Sequence, residues 1–311
     1  MSLVERALKK LQETRGSTPA SPGREHESAP RPVAGTVLTA ANAPVSPQRS
    51  TPAESPTRHP PPQRTVVIDR DALRAMGLLP PVTVERQIAS QYQHIKRPLV
   101  VAAMGKSGNS IANGHLIMLA SALPSEGKTF TSINLALSLA LEKDIEVLLV
   151  DADVAKPHVS RLFGLQAERG LLDLLVDSNL HAESVILPTN VPGLSMLPTG
   201  KQIENATELL ASERMEQVVA QLGGDSGRRI VLFDSPPLLL STESRAIVPV
   251  VGQVVLVVRA ELTSQKAVSD ALEMIGEAKP VSLILNQSNE PPSKGYYGYG
   301  SYGDVVVDAA S

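Results

Sequence analysis

The feature that most constrains this chain of 311 residues is the stretch 115–129, HLIMLASALPSEGKT. Its apolar run ends in a short loop, and Gly127, Lys128 and Thr129 then open a segment whose apolar residues recur at helical spacing. A strand, a loop, Gly-Lys-Thr and a helix together form the context of a phosphate-binding loop. Backbone N–H groups at the start of such a helix face a bound anion. The stretch therefore predicts a site for the phosphates of a nucleotide.

Individual residues of this loop have expected roles. Lys128 would reach the terminal phosphates, and the hydroxyl of Thr129 would hold Mg²⁺. Ala122 stands where the usual loop has its first glycine. A second Gly-Lys-Ser lies within residues 104–114, but no strand-like run precedes it. We therefore discount it as another phosphate site.

Composition excludes several classes of protein. The net charge is −3, so no bulk positive field draws the chain to nucleic acid, and we predict no nucleic-acid partner. The chain has no cysteine, which excludes disulfide scaffolds, thiolate iron–sulfur clusters and cysteine nucleophiles and fits a reducing cytoplasm. It shows neither a signal peptide nor a run of about 18 apolar residues. We expect a cytoplasmic protein without a membrane span.

The two ends of the chain differ from its middle. Residues 1–15 predict a short amphipathic docking helix, which needs a surface to lie on, and a partner protein is the first choice. Residues 16–64 contain eleven of the 25 prolines and no aromatic residue, which predicts a disordered linker. We expect one folded domain over residues 65–290 and a flexible tyrosine-rich tail over residues 291–311.

The middle of the chain alternates between strand and helix patterns. The predicted strands cover residues 115–121, 146–151, 194–198, 229–234, 253–259 and 281–286, after a β-like run at 65–69. The predicted helices cover residues 71–76, 84–95, 129–142, 207–222, 243–248 and 263–277. Several strands are apolar on both faces, as parallel strands covered by helices are. This alternation predicts an α/β fold with a doubly wound, mostly parallel sheet that binds its ligand at the carboxyl ends of the strands.

Carboxylates follow two of the predicted strands. Asp151 and Asp153 lie at the end of VLLVDAD, and Asp234 ends IVLFD. The carboxyl ends of parallel strands meet at the edge of the sheet where the phosphate loop lies. A carboxylate near Thr129 suits an octahedral Mg²⁺ site, and another carboxylate could take a proton from an attacking hydroxyl. The placement predicts phosphoryl or nucleotide chemistry at this edge.

Together these motifs resemble one family, the bacterial tyrosine autokinases of exopolysaccharide and capsule assembly. Residues 122–129 resemble its Walker A loop, residues 147–157 its Walker A′ motif and residues 230–237 its Walker B motif. The family also has a C-terminal tyrosine cluster, and the tail KGYYGYGSYGD carries Tyr296, Tyr297, Tyr299 and Tyr302. The opening MSLVERA and the proline-rich linker resemble the exosortase-associated cytoplasmic subgroup. The resemblance covers residues 84–305.

The resemblance implies a P-loop NTPase fold like that of partition ATPases, and an ATP- and Mg²⁺-dependent kinase. Such a kinase would phosphorylate its own tyrosine cluster in trans and so regulate exopolysaccharide polymerisation and export. The implied catalytic residues are Lys128, Asp151 and Asp153, with Asp151 as the general base. The implied metal ligands are Thr129, Asp153 and Asp234. The implied nucleotide-binding residues are Pro124, Ser125, Glu126, Gly127, Lys128, Thr129, Phe130 and Asn286, the last as a reader of adenine or a plain turn residue.

The resemblance also implies partners. These are a transmembrane chain-length-determinant protein (a polysaccharide co-polymerase) that recruits the chain to the inner membrane, a cognate tyrosine phosphatase, and further copies of the chain in a homo-oligomer. Two departures bear on these implications. Ala155 stands where the family has arginine, and Ser90, Gln93 and Lys96 replace the Glu-x-x-Arg-x-x-Arg pattern that supports ring assembly.

Two other functions remain open from the sequence. A partition-type switch ATPase shares the fold and the Walker motifs, but such proteins often carry a lysine early in the loop, where this chain has Leu123 and Pro124, and they lack a tyrosine tail. A non-catalytic scaffold for polysaccharide export is the second alternative, and Ala155 is its best support.

Overall fold

The computed structural model describes residues 64–105, 111–224 and 227–288. The predicted docking helix, nearly the whole linker and the four tail tyrosines lie outside the described residues, as does most of the second Gly-Lys-Ser. The domain boundaries therefore stay predictions.

A seven-stranded sheet forms the centre of the described region. Its strands are β1 (Leu116–Ser121), β2 (Glu146–Asp151), β3 (Leu187–Pro188), β4 (Leu194–Leu197), β5 (Arg229–Asp234), β6 (Gln253–Arg259) and β7 (Val281–Asn286). They are arranged in the order β3-β4-β2-β5-β1-β6-β7. All neighbouring pairs are parallel except β3 and β4, which are antiparallel. The predicted doubly wound, mostly parallel sheet is confirmed.

Nine α-helices connect and cover these strands within the described residues. They are α1 (Arg70–Ala75), α2 (Glu85–Met104), α3 (Lys128–Leu139), α4 (His158–Leu162), α5 (Leu171–Val176), α6 (Ala206–Leu210), α7 (Glu213–Leu222), α8 (Thr242–Ile247) and α9 (Gln265–Ile275). Short 3₁₀ turns occur at Ala182–Ser184 and Val248–Val250. No helix in this part of the chain combines the length and the apolar character needed to cross a membrane.

Apolar side chains pack on both faces of the sheet. All six residues of β1 are buried. Successive side chains of a strand point to opposite faces, so Leu116 and Met118 join one apolar cluster while Ile117 and Leu119 join the other. The first cluster includes residues of α5, α7 and α9, and the second includes residues of α2 and α3. Burial on both faces explains why the central strands are continuously apolar.

Local patterns predicted strand bounds better than helix bounds. Four predicted strands have the observed bounds, and the other two differ by one residue at one end. The predicted helix over 207–222 is wrong as a single element, because extended backbone at Ser212 (φ −89°, ψ 160°) separates α6 from α7. The helix predicted over 84–95 continues through Pro98 to Met104. Tertiary packing overrides the proline there, since Leu99 in the following turn is 1% exposed.

The N-terminal β-like run attaches to the edge of the sheet by a single bridge. Val66 pairs in parallel with Thr189, and its N–H donates to the carbonyl of Pro188 at 2.8 Å. The side chain of Asn190 accepts a hydrogen bond from the N–H of Ile68. The strand predicted over 65–69 is therefore reduced to one bridge beside β3.

Candidate active site

The phosphate loop joins β1 to α3. Gly127, immediately before α3, has a left-handed backbone (φ 93°), and so does Ser125 (φ 63°). Ala122 is fully buried and does not have a positive φ. The loop therefore makes its left-handed turns at positions 125 and 127, and the alanine at its start needs no glycine-like backbone.

Lys128 is held along the loop rather than extended into solvent. Its side chain donates a hydrogen bond to Oγ of Ser121 at 2.9 Å, and the residue is 9% exposed. Burial lowers the pKa of Lys128, while the carboxylates of Asp234, Asp153 and Glu126 act to raise the pKa. A lysine in this setting is placed to neutralise an anion that enters the loop.

Asp234, the last residue of β5, connects the sheet to the first turn of α3. One carboxylate oxygen accepts a hydrogen bond from Oγ1 of Thr129 at 2.9 Å, and the other accepts one from Oγ of Ser132 at 2.8 Å. Burial raises the pKa of Asp234, and the charge of Lys128 opposes that rise. Both hydroxyl donors come from α3, so the helix fixes the orientation of this carboxylate.

Asp151 lies beside Asp234 in the sheet. The two residues are direct partners in the register of β2 and β5. Asp151 is 0% exposed; Oδ2 accepts a hydrogen bond from the N–H of Ser160 at 2.7 Å, and Oδ1 has no hydrogen-bond partner among the described residues. Burial raises the pKa of Asp151 from 3.8 to about 7. A carboxylate with a pKa near neutrality and a free acceptor oxygen has the properties of a general base.

Asp153 is two residues beyond β2 and contacts the open side of the site. Its Oδ1 accepts a hydrogen bond from the N–H of Lys156 at 2.9 Å. Burial raises the pKa of Asp153, and the charges of Lys128 and His158 oppose that rise. Asp153 thus brings a third carboxylate to the edge of the sheet where Asp151 and Asp234 lie.

A cavity of about 1010 Å³ opens over the loop and the strand ends. Six of the loop residues predicted to bind nucleotide line it, together with Asp153 and Asn286. Those six loop residues are Pro124, Ser125, Gly127, Lys128, Thr129 and Phe130. Glu126, Asp151 and Asp234, which were also predicted as site residues, lie beneath the lining. All the predicted site residues within the described ranges therefore lie at one edge of the sheet. Some of them line the cavity, and the others are buried beneath it.

Glu126 and Asn286 brace the loop from the far side. The backbone carbonyl of Glu126 accepts a hydrogen bond from Nδ2 of Asn286 at 2.9 Å. The carboxylate of Glu126 accepts hydrogen bonds from the N–H of Leu123 and from Oγ1 of Thr263. Glu126 is only 2% exposed, so its side chain stabilises the loop from within, and its role in nucleotide binding stays a prediction. Asn286 lines the cavity as predicted, and its role as a reader of adenine stays a prediction.

Sequence reasoning missed several residues of the site. Ser132 was not predicted, although it lies three residues after Thr129 in α3 and, like Thr129, donates a hydrogen bond to Asp234. Arg161 and His158 line the cavity from α4, a helix of five residues that the periodicity did not indicate. Leu78 reaches the cavity from the segment after α1, and only the tertiary fold brings that segment there.

The donor set fits a hard divalent cation that is also held by phosphate. Thr129, Asp153 and Asp234 offer only oxygen atoms, which are the ligands that Mg²⁺ prefers. No group of three or more His, Cys, Asp or Glu side chains in the described residues could hold a metal ion by itself. An octahedral ion bound by one hydroxyl and two carboxylates would take its other oxygen ligands from a bound phosphate or from water.

Comparison with known proteins identifies the family. The model of the AAA domain family matches residues 116–287, more than half of the chain and the whole span from β1 to the end of β7. The chain belongs to this AAA-domain family. Several of its relatives are named tyrosine-protein kinases.

Three similar proteins show how much of each chain the similarity covers. Tyrosine-protein kinase ptk of Acinetobacter johnsonii is 34% identical over 179 residues, which cover 57% of this chain and 24% of ptk. Tyrosine-protein kinase YwqD of Bacillus subtilis strain 168 is 29% identical over 214 residues, or 68% of this chain and 86% of YwqD. The crystal structure of the VpsO kinase domain has a TM-score of 0.55 and 28% identity, covering 67% of this chain and 100% of that domain. The chain thus spans about a quarter of the length of ptk, whereas its match to the VpsO kinase domain covers the whole of that domain.

Proposed function

We propose that this AAA-domain protein is an ATP-dependent protein-tyrosine autokinase that phosphorylates the tail tyrosines Tyr296, Tyr297, Tyr299 and Tyr302. The observation that carries the proposal is the pairing of Asp151 with Asp234 in adjacent strands, directly beneath a cavity that Lys128 and Thr129 line. A cavity of about 1010 Å³ is at the upper end of the range usual for small-molecule sites and is large enough for ATP with part of an acceptor peptide.

Different residues of the cavity bind the phosphates, the metal ion and the rest of the nucleotide. The loop residues 123–130 bind the phosphates through backbone N–H groups, and Lys128 neutralises charge as the γ-phosphoryl group moves. Thr129, Asp153 and Asp234 would hold Mg²⁺, which would supply positive charge against the phosphates. Asn286 contacts the nucleotide at the end of β7.

Asp151 is the proposed proton acceptor in the transfer step. The tyrosine hydroxyl passes its proton to Asp151 while its oxygen forms a bond to the γ-phosphorus. The bond from that phosphorus to the β,γ-bridging oxygen breaks, and ADP leaves with the electron pair. Oδ1 of Asp151 is buried without a partner among the described residues, which supports its use as the acceptor.

The wider context of the kinase is part of the same proposal. Tail phosphorylation would regulate exopolysaccharide polymerisation and export, and a tyrosine phosphatase would reverse it. A transmembrane polysaccharide co-polymerase would bind the N-terminal segment and bring the chain to the inner membrane from the cytoplasm. The support for these statements is the resemblance of the motifs, the linker and the tail to the bacterial tyrosine autokinases.

The test is intact-mass measurement and peptide mapping after incubation with ATP and Mg²⁺. Wild type is compared with Lys128→Met, with a chain that ends at Pro292, and with Lys143→Met, a control at an exposed lysine outside the cavity. We expect phosphate on the tail tyrosines of wild type and Lys143→Met, and none on Lys128→Met. ATP hydrolysis without tyrosine modification would instead indicate a switch ATPase, and nucleotide binding without either activity would indicate a scaffold.

A further inference from the structure

A second cavity, of about 690 Å³, is lined by four basic side chains. It lies beside the cavity over the phosphate loop, which is called the nucleotide cavity below. The four basic side chains are those of Lys156, Arg161, Arg169 and Lys201. All four residues are exposed, and none forms a salt bridge with another residue in the described part of the chain. Cations that converge on one concave surface without acidic partners are typical of a site for an anion.

The acidic residues of this cavity are already engaged. Glu168 forms a salt bridge with Arg64 at 2.8 Å. The carboxylate of Asp173 accepts hydrogen bonds from the backbone N–H groups of Gly170 (2.9 Å) and Lys201 (3.1 Å). Four basic and two acidic side chains line the cavity, so its charge balance is positive, although the whole chain has a net charge of −3.

The two cavities are contiguous. Lys156 and Arg161 line both of them, whereas Arg169 and Lys201 line only the second. A peptide with one residue in the nucleotide cavity would therefore bring its neighbouring residues to the basic surface. The ligand of the second cavity is expected to be an anionic group on the same chain as the acceptor tyrosine.

We propose that the second cavity binds a phosphotyrosine of the tail, so that a tail already phosphorylated once is the preferred acceptor for the next transfer. This inference rests on the proposed kinase function. Tyr297, Tyr299 and Tyr302 are two and three residues apart, which is up to about 7 and 10 Å of extended chain. A phosphotyrosine carries a charge of about −1.5 to −2 at pH 7 and three acceptor oxygens, which guanidinium groups bind bidentately.

The binding step can be tested without catalysis. The probe is a fluorescent peptide of residues 293–304, either unphosphorylated or phosphorylated at Tyr299, titrated with the full-length, phosphatase-treated chain in the absence of ATP. We expect the phosphopeptide to bind about tenfold more tightly than the unphosphorylated peptide at low salt, and that preference to shrink as salt screens the cations. Fluorescence anisotropy measures both affinities.

Charge-matched variants locate the site. Arg169→Gln with Lys201→Gln is expected to weaken phosphopeptide binding about tenfold. Arg86→Gln with Lys143→Gln, which removes two exposed charges that line neither cavity, is expected to change it less than twofold. Equal affinity of wild type for the two peptides, or unchanged phosphopeptide binding by the Arg169 and Lys201 variant, would overturn the inference.

A kinase assay tests the preference itself. With ATP and Mg²⁺, the ratio of phosphorylation rates for the phosphopeptide and the unphosphorylated peptide should exceed 1 in wild type and fall towards 1 in the Arg169→Gln, Lys201→Gln variant. A ratio that the variant leaves unchanged would overturn the preferred-acceptor role. Failure of the kinase function is distinguishable, since it removes transfer to both peptides and leaves the anisotropy result intact.

Discussion

The hydroxyl of Thr129 donates a hydrogen bond to a carboxylate oxygen of Asp234 at 2.9 Å, joining the start of α3 to the end of β5. The donated proton leaves the lone pairs of the Thr129 oxygen available, so the same hydroxyl can bind a cation and keep its contact with Asp234. Ser132 donates a hydrogen bond to the other carboxylate oxygen, so two hydroxyl groups of α3 fix the orientation of Asp234. The carboxylate of Asp234 is thus held in one orientation beside the phosphate loop.

The first prediction concerns this pair. Thr129→Val removes the hydroxyl and leaves Asp234 with one side-chain donor, so we expect affinity for the magnesium–ATP complex to fall about 10- to 100-fold. Fluorescent ATP titrated in Mg²⁺ and in EDTA measures the effect, and the loss should be largest in Mg²⁺. Thr65→Val, at an exposed threonine outside the cavity, is the matched control. An equal loss in Mg²⁺ and EDTA would contradict a metal role for Thr129.

The second prediction concerns the pH dependence of stability at Asp151. Because burial raises its pKa from 3.8 to about 7, the folded chain binds a proton that the unfolded chain has released at intermediate pH. The contribution of Asp151 to stability is therefore full below about pH 4 and is lost as pH rises through 7. That loss is on the order of a few kcal/mol. Asp151→Asn removes this titration, so its free energy of unfolding should fall less between pH 4 and pH 8.

Urea unfolding over that pH range measures the difference in slope. Asp144→Asn, at an exposed carboxylate just before β2, should keep the wild-type profile because its side chain stays in water when the chain folds. The absolute stability of Asp151→Asn is a poorer readout, since the new amide group meets the same unpartnered surroundings as Oδ1. Parallel profiles for wild type and Asp151→Asn would show that Asp151 titrates normally.

Sequence could predict the sheet and the lining of the site because both depend on local signals. The apolar runs and their acidic ends fix β2 and β5, and parallel pairing then brings Asp151 to Asp234. The sequence could not predict which carboxylates lie beneath the lining of the cavity, because their burial depends on how α3 and α4 cover the strand ends. The burial of Lys96 could not be predicted for the same reason. The family resemblance places Lys96 in one pattern with Ser90 and Gln93, and both of those residues of α2 are exposed.

The third prediction concerns Lys96. Its ammonium group donates to the carbonyl of Ser138 at 2.8 Å and forms a salt bridge with Glu142 at 2.7 Å, and the residue is 3% exposed. Lys96→Met leaves that carbonyl without its donor, so we expect a loss of about 2 kcal/mol in the free energy of unfolding. Oligomeric state, measured by analytical ultracentrifugation, should not change, because a buried side chain contributes no surface.

Arg97→Met, at the adjacent exposed position, is the control for stability. It should unfold within about 0.5 kcal/mol of wild type, as surface substitutions usually do. A shift in the oligomeric state of Lys96→Met at unchanged stability would contradict an internal role for this lysine and would place α2 in an interface between copies.

The fourth prediction uses two glycines with similar backbones. Gly127 (φ 93°) and Gly77 (φ 72°) both have left-handed conformations, in which a Cβ atom costs about 1–2 kcal/mol. A Cβ at Gly77 would meet nothing within 4 Å, whereas one at Gly127 would lie 2.0 Å from Nδ2 of Asn286. In Gly127→Ala the Asn286 amide must move and give up its hydrogen bond to the carbonyl of Glu126. We therefore expect Gly127→Ala to lose about 1 kcal/mol more stability than Gly77→Ala.

A double-mutant cycle attributes the extra loss to Asn286. In the Gly127→Ala background the hydrogen bond is already broken, so Asn286→Ala should cost less there than in wild type, by about 1 kcal/mol. Urea unfolding of the four proteins gives this coupling. Equal losses for Gly77→Ala and Gly127→Ala, with additive effects in the cycle, would show that Asn286 does not brace the phosphate loop.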